Sequence, residues 1–331
     1  MFALVEITGW HYAGFILCVL FFLALDLGVF HRKAHVVKFK EALGWTTLWF
    51  SMAMLFALGL RPMRGPEDSL EFVTGYLIEL SLSMDNVFVI ALIFSYFRVP
   101  PQYQHRVLFW GIMGALVMRG VMIWAGAALI ERFQWTLYLF GLFLVFTGIK
   151  MLFASEDGVQ PEKNPVVRLA RKLFPISNEF NGQHFTVRTA AGLALTPLAV
   201  VLILVETTDL IFALDSIPAI FAVTTDPFIV FTSNVFAILG LRSLYFVLAG
   251  AIGLFRYLKY GLSIVLVFIG VKMLIDPHQP AGVPPEHFWQ YKIPISLSLV
   301  VVVSIIVGSI LLSMLAARGR PNEPDAKPPA Q

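Results

Sequence analysis

The stretch Glu79-Leu-Ser-Leu-Ser-Met-Asp85-Asn86 has a counterpart further along the chain, Asp209-Leu-Ile-Phe-Ala-Leu-Asp215-Ser216. Each runs acid, leucine, four residues, aspartate, then a small side chain bearing an amide or a hydroxyl. Two further landmarks follow in the same order. Arg119 parallels Arg242, and Gly148-Ile-Lys150-Met-Leu parallels Gly270-Val-Lys272-Met-Leu. Apolar segments resemble one another by chance, but three polar landmarks in one order do not, so the chain carries an internal repeat. The spacing from the aspartate to the lysine is 65 residues in the first copy and 57 in the second, and nearly all of the difference falls in one loop.

The background of these motifs is that of a membrane protein. Of 331 residues 58% are hydrophobic and 14% charged, with a mean hydropathy of +0.79, which lies well outside the soluble range. Apolar runs long enough to cross about 30 Å of hydrocarbon lie near residues 9–30, 42–60, 70–97, 107–130, 134–153, 189–224, 228–254, 258–275 and 293–315. The first lacks a basic leader and a small-residue cleavage site, so it reads as a retained span and not as a signal peptide. The fold expected is all-α, a polytopic bundle of about nine transmembrane helices.

Lysine and arginine orient it. With the N-terminus outside and the C-terminus in the cytoplasm, sixteen of the 24 basic residues fall in inner segments. Four fall outside (Arg61, Arg64, Arg132, Lys292) and four within spans (Arg119, Lys150, Arg242, Lys272). That bias follows the positive-inside rule, and an eight- or ten-span count would invert half of the loops. The organisation expected is two N-terminal spans and a basic inner loop over 1–69, a first three-helix repeat over 70–153, and a cytoplasmic connection over 154–188. A second three-helix repeat covers 189–275, and a last span with a disordered tail covers 276–331. Within the connection, the segment 166–174 (VVRLARKLF) alternates apolar and basic residues at helical spacing, as an interfacial helix does.

Three spans per repeat is an odd number, so the second repeat enters the membrane from the opposite side. Such inverted repeats belong to secondary transporters, whose substrate site sits near the midplane where the repeats meet. Pro218 and the pair Thr196-Pro197 lead one to expect the sixth span to break near Asp215 and again near its start.

Five carboxylates, Glu79, Asp85, Glu206, Asp209 and Asp215, fall inside apolar spans, each costing at least about 2.5 kcal/mol there unless paired or solvated. Pairing with Arg119 and Arg242 leaves three negative charges in excess, which a divalent cation and a shared proton would neutralise. Residues six apart on a straight helix differ by about 9 Å in height and roughly 120° in direction, so Glu79 and Asp85 cannot grip one ion together. Acids from the two repeats are expected to face one another, the remaining acid of each pair forming a second site or an access step. Asn86 and Ser216, seven residues after Glu79 and Asp209, return to the same face and offer neutral oxygens.

All-oxygen ligands suit magnesium, calcium or manganese. Met84 beside Asp85 would add a thioether that favours manganese, or simply pack, since its counterpart is Leu214. Asp26 is an accessory acid or a solvated helix end. Glu206 has Tyr76 as its counterpart and is the expected proton-sensitive member. One cysteine, Cys18, excludes disulfides and dithiol chemistry. His31 and His35 lack the glutamate of a zinc protease, no histidine lies mid-span for a haem, and the charge pattern points away from nucleic acid. Asp85 and Asp215 as an intramembrane aspartyl protease dyad is the enzyme alternative, but Met-Asp-Asn and Leu-Asp-Ser are not the settings such proteases use.

The motifs at 25–35 (LDLGVFHRKAH), 79–90 (ELSLSMDNVFVI), 205–246 (VETTDLIFALDSIPAIFAVTTDPFIVFTSNVFAILGLRSLYF) and 270–275 (GVKMLI) resemble the TerC family of bacterial membrane proteins, most closely its Alx branch. The resemblance implies a multi-pass protein of the bacterial inner membrane that exports manganese(II), with the acidic motifs as metal site, manganese and protons as transported species and no permanently bound cofactor. It also carries a link to tellurium resistance and a redox-modulator label. Tellurite, an oxyanion, would not suit a net-negative site.

Overall fold

A chain that crosses lipid has to satisfy its backbone hydrogen bonds internally, and this one does so almost wholly as helix. In chain order the computed structural model contains α1 (Gly9–Leu25), α2 (Phe39–Arg64), α3 (Pro66–Tyr96), α4 (Pro101–Arg132), α5 (Thr136–Phe153), α6 (Pro165–Leu173), β1 (Thr186–Thr189), β2 (Gly192–Leu195), α7 (Pro197–Phe221), α8 (Pro227–Ala249), α9 (Leu258–Ile275) and α10 (Ile295–Arg318). It describes residues 7–25, 39–153, 164–177, 179–189, 192–249, 257–276 and 291–318. Eight of these helices are long and apolar enough to cross a membrane, and α1 is a shorter apolar helix over the described part of the first expected span. Asp26, His31, His35 and the tail beyond Arg318 lie outside the described residues.

Proline starts the helices that matter most. Pro66, Pro101 and Pro197 stand at the first turns of α3, α4 and α7, where the missing N–H would have had no intrahelical partner. A single residue, Gly65, joins α2 to α3 at φ +106°, a conformation that favours glycine.

The start of the sixth span differs from expectation. Residues 192–195, apolar enough to pass for membrane helix, instead form β2, paired antiparallel with β1. The helix begins only at Pro197, so the second break expected at Thr196-Pro197 is its N-terminus. The break expected near Asp215 is absent, because α7 runs through Pro218 to Phe221. Pro218 sits in the last turn, where it removes one backbone hydrogen bond and leaves Asp215 in regular helix. The helix expected in the connection is present as α6, with the Asn164 side chain accepting from the backbone N–H of Val166 at 2.9 Å and of Val167 at 3.2 Å. Val167 is fully buried in the cluster around the start of α7. The segment leading into this hairpin is tied to α4: Arg106 donates to Gln183 Oε1 at 3.1 Å and lies over the Phe185 ring.

The six helices of the two expected repeats pack reciprocally. α3 lies along α8 and α7 lies along α4, while α3 meets α7, α4 meets α8, and α5 and α9 make the most extensive pairing of all. Small residues bring α5 and α9 together. A Cβ on Gly270 would stand 2.7 Å from the carbonyl oxygen of Gly141, and one on Gly148 would stand 2.9 Å from that of Ser263. By alignment of the Gly-x-Lys-Met-Leu motifs, Gly148 corresponds to Gly270 and Gly141 to Ser263, so the two contacts exchange when the halves are exchanged.

Candidate functional site

α3 and α7 bring their polar faces together at Arg119 of α4. Glu79 and Asn86 are two turns apart on α3, Asp209 and Ser216 two turns apart on α7, and all four reach one network. Arg119 donates from Nε to Asp209 Oδ2 at 3.1 Å and from Nη2 to Asp209 Oδ1 at 2.8 Å, the forked geometry that a guanidinium offers a carboxylate. Its Nη1 pairs with Glu79 Oε1 and also faces Ser216 Oγ at 3.2 Å and Asn234 Oδ1 at 3.5 Å. Asn86 Nδ2 donates to Asp209 Oδ1 at 2.8 Å, and Ser83 Oγ to Glu79 Oε1 at 3.3 Å.

Relative exposure is 0% for Glu79, 4% for Asp209 and 2% for Arg119, so the charges are interior and the pairing replaces water. Breaking such a pair by removing one partner costs about 3–5 kcal/mol. The network is not complete. Among the described residues Glu79 Oε2, Asn86 Oδ1 and Asn234 Nδ2 are buried with no hydrogen-bond partner, each a group whose desolvation costs roughly 1–3 kcal/mol. One arginine and two acids also leave one negative charge unbalanced.

Glu206, one turn before Asp209 on α7, is close enough to feel its charge. Its carboxylate lies against Gly114 of α4, in the space that a Cβ there would fill. No described residue gives Glu206 a hydrogen bond or an ion pair. Asp85 and Asp215 have other neighbours: Asp85 lies within electrostatic reach of Lys259 at the start of α9, and Asp215 within hydrogen-bond reach of Thr147 and electrostatic reach of Lys150 on α5. The five acids therefore divide into a central group at Arg119 and two outlying members on the side of the α5–α9 arm. Among the described residues no three Asp, Glu, His or Cys side chains group closely enough to hold a metal ion. Met84 packs into the apolar clusters on both sides of α3, and Arg242 is buried on α8.

Three buried polar residues escaped the sequence reading of the site. Asn234 contacts Arg119 from α8. Glu71 is 6% exposed in the first turns of α3, and Lys272 donates to the Ala222 carbonyl at 3.2 Å. Glu71 was legible as a sixth acid within the run 70–97, and Asn234 as an amide within the run 228–254.

Residues 64–320 match the integral membrane protein TerC family. The chain belongs to that family. It is 54% identical over 319 residues, 96% of each chain, to a Myxococcus xanthus protein called "Uncharacterized membrane protein STKORF319". It is 48% identical over 311 residues to a Salmonella typhi protein, covering 91% of this chain and 93% of that one, and 47% identical over 312 residues, with the same coverage, to one from Escherichia coli K12. Both carry the name "Putative membrane-bound redox modulator Alx". No solved structure matches the chain.

Proposed function

We propose that this TerC-family protein exports divalent cations, manganese(II) first among them, from the cytoplasm across the bacterial inner membrane in exchange for protons. The observation that carries the reading is the meeting of Glu79 and Asp209 inside the bundle. At ~1.5 Å per residue, Glu79 lies about 20 Å along α3, which is about 46 Å long, and Asp209 about 18 Å along α7, which is about 37 Å long, so both stand close to the middle of helices that would cross a hydrocarbon layer about 30 Å thick. Two acids from separate segments at that depth, with amide and hydroxyl oxygens beside them, fit a carrier for a hard cation better than a structural ion pair, which needs only one acid per arginine. The reciprocal packing of α3–α5 with α7–α9 supports two inverted repeats meeting at the site, and the basic inner loops support an N-terminus outside and a C-terminus inside.

Proton exchange follows from charge. Glu79, Asp209 and Glu206 with Arg119 sum to −2, which one dication brings to zero. Once the dication leaves, the empty site returns through the membrane at less cost if protons replace it. A redox role, as in the relatives' name, would have to work without a dithiol, since Cys18 is the single cysteine. Sealed vesicles holding the purified protein, loaded in turn with manganese, calcium, magnesium and zinc under an imposed pH gradient, test the reading. Manganese should leave through the protein faster than the others, with a pH change in the lumen. Absence of metal movement under any gradient would overturn it in favour of a redox or proteolytic role.

A further inference from the structure

Glu79, Asn86, Asp209, Ser216 and Asn234 carry seven side-chain oxygen atoms, of which five lie within hydrogen-bond distance of the Arg119 guanidinium: Glu79 Oε1, both carboxylate oxygens of Asp209, Ser216 Oγ and Asn234 Oδ1. Six to eight oxygens is the shell a hard divalent ion takes. Two of the seven, Glu79 Oε2 and Asn86 Oδ1, are buried acceptors that the arginine leaves without a donor. An occupant that satisfied the network fully would leave neither. The guanidinium is planar, weakly hydrated and a single charge, so it meets Asp209 through its fork and Glu79 Oε1, Ser216 Oγ and Asn234 Oδ1 through Nη1, and leaves Glu79 Oε2 and Asn86 Oδ1 without a donor.

Resting on the exporter reading, we infer that Arg119 is a tethered competitor for the cargo: guanidinium and dication take turns in one oxygen-lined pocket between α3 and α7. With no metal present Arg119 neutralises the paired acids. An arriving dication displaces it, drawing in the oxygens that the guanidinium leaves bare. The displaced side chain has a destination. Long helical side chains lean toward the N-terminus of their own helix, and in that direction on α4 lies Gly114, against which the unbonded Glu206 carboxylate rests. With Arg119 on Glu206, and the dication on Glu79 and Asp209, both groups balance separately. When the cargo leaves, the arginine swings back, and the carrier crosses the membrane without a bare pair of buried carboxylates.

This competition separates two quantities that an ordinary ligand or scaffold residue would move together. In Arg119→Gln, manganese(II) binding to the purified protein at equilibrium should tighten at least tenfold. Exchange of internal for external manganese in vesicles should persist, and net efflux into metal-free solution should fall at least tenfold. Weaker or unchanged binding by a folded Arg119→Gln protein overturns the competition while wild-type transport leaves the exporter reading standing. Failure of the wild-type protein to bind or move manganese overturns both. Where Arg119→Gln does not fold, Arg119→Lys carries the test: an ammonium holds two carboxylates less well than the planar fork, so manganese binding should tighten severalfold, and equal or weaker binding again overturns the proposal.

Discussion

Tyr76 on α3 and Glu206 on α7 hold equivalent places, three residues before Glu79 and Asp209, and their surroundings differ in a matched way. Tyr76 is buried with Phe72, Phe236 and Ala237 in an apolar cluster. Glu206 lies against Gly114, the counterpart of Ala237 when Arg119 is aligned with Arg242. On one side the space beside the central acid is filled by an aromatic ring; on the other, deletion of a single methyl makes room for a carboxylate. The two central acids, by contrast, are treated alike, sharing one arginine across the α3–α7 contact. The charged pair thus draws one acid from each half, while the carboxylate beside it belongs to α7 and α4 alone. On the exporter reading proposed above, an asymmetry of this kind would set the direction of transport, which a repeat by itself would not supply.

The largest effect should follow from removing a member of the shared pair. Asp209→Asn keeps the shape but takes away the charge that receives two arginine donors, and it should lower manganese efflux in vesicles at least about a hundredfold, the equivalent of roughly 3 kcal/mol. Glu79→Gln should do the same, and a large inequality between them would break the claim that the halves contribute equally. Asp85→Asn and Asp215→Asn lie outside the arginine network. They should also reduce efflux but leave thermal unfolding in detergent close to wild type, whereas Asp209→Asn lowers it.

A smaller effect tests the asymmetric part. Gly114→Ala places a methyl where the Glu206 carboxylate lies, so the acid must move away from α4 at a packing cost of about 1–3 kcal/mol. Efflux driven by a pH gradient should fall roughly tenfold, a change of about 1.4 kcal/mol in the barrier, with the protein still folded. Ala237→Gly on the other half should leave the flux unchanged. Equal responses at the two positions would mean that Glu206 does not set the direction.

The spans were legible because lipid demands long apolar helices, and eight of nine expected spans are described at nearly the bounds that composition sets. The start of α7 was not, because the apolar Gly192–Leu195 strand carries the same hydropathy as helix and only its pairing with Thr186–Thr189 distinguishes it. Pro218 misled for a related reason: the sequence shows the residue but not that it falls in a final turn, where its effect is small. The seven-residue spacing of Glu79 with Asn86 and of Asp209 with Ser216 placed those side chains on common faces correctly. What the spacing could not reveal was the sorting of the five acids between Arg119 and the α5–α9 arm. That sorting depends on how each helix is rotated against partners from the other half, and the packing that fixes rotation is not local. Asn234 was missed because its helix enters the site from the distant half.

The smallest effect expected on transport, one of stability alone, concerns the region where the halves remain alike. Gly148 and Gly270 occupy equivalent places in Gly-Ile-Lys-Met-Leu and Gly-Val-Lys-Met-Leu, and each lets its helix approach the partner's backbone, with a Cβ at 2.9 Å from the Ser263 carbonyl in one case and 2.7 Å from the Gly141 carbonyl in the other. Backbone oxygen cannot retreat as a flexible side chain does, so either alanine forces α5 and α9 apart and costs about 1–3 kcal/mol, where association inside lipid rests on close packing. Gly14 of α1, with nothing near its Cβ position, is the control and should tolerate alanine. Because the two contacts are two helical turns apart along α5 and share no partner, the costs should be similar and should add within about 0.5 kcal/mol in the double variant, read as unfolding shifts in detergent. One alanine tolerated and the other severe would show that α5 and α9 do not exchange roles, and the two-fold relation proposed between the halves would not extend to them.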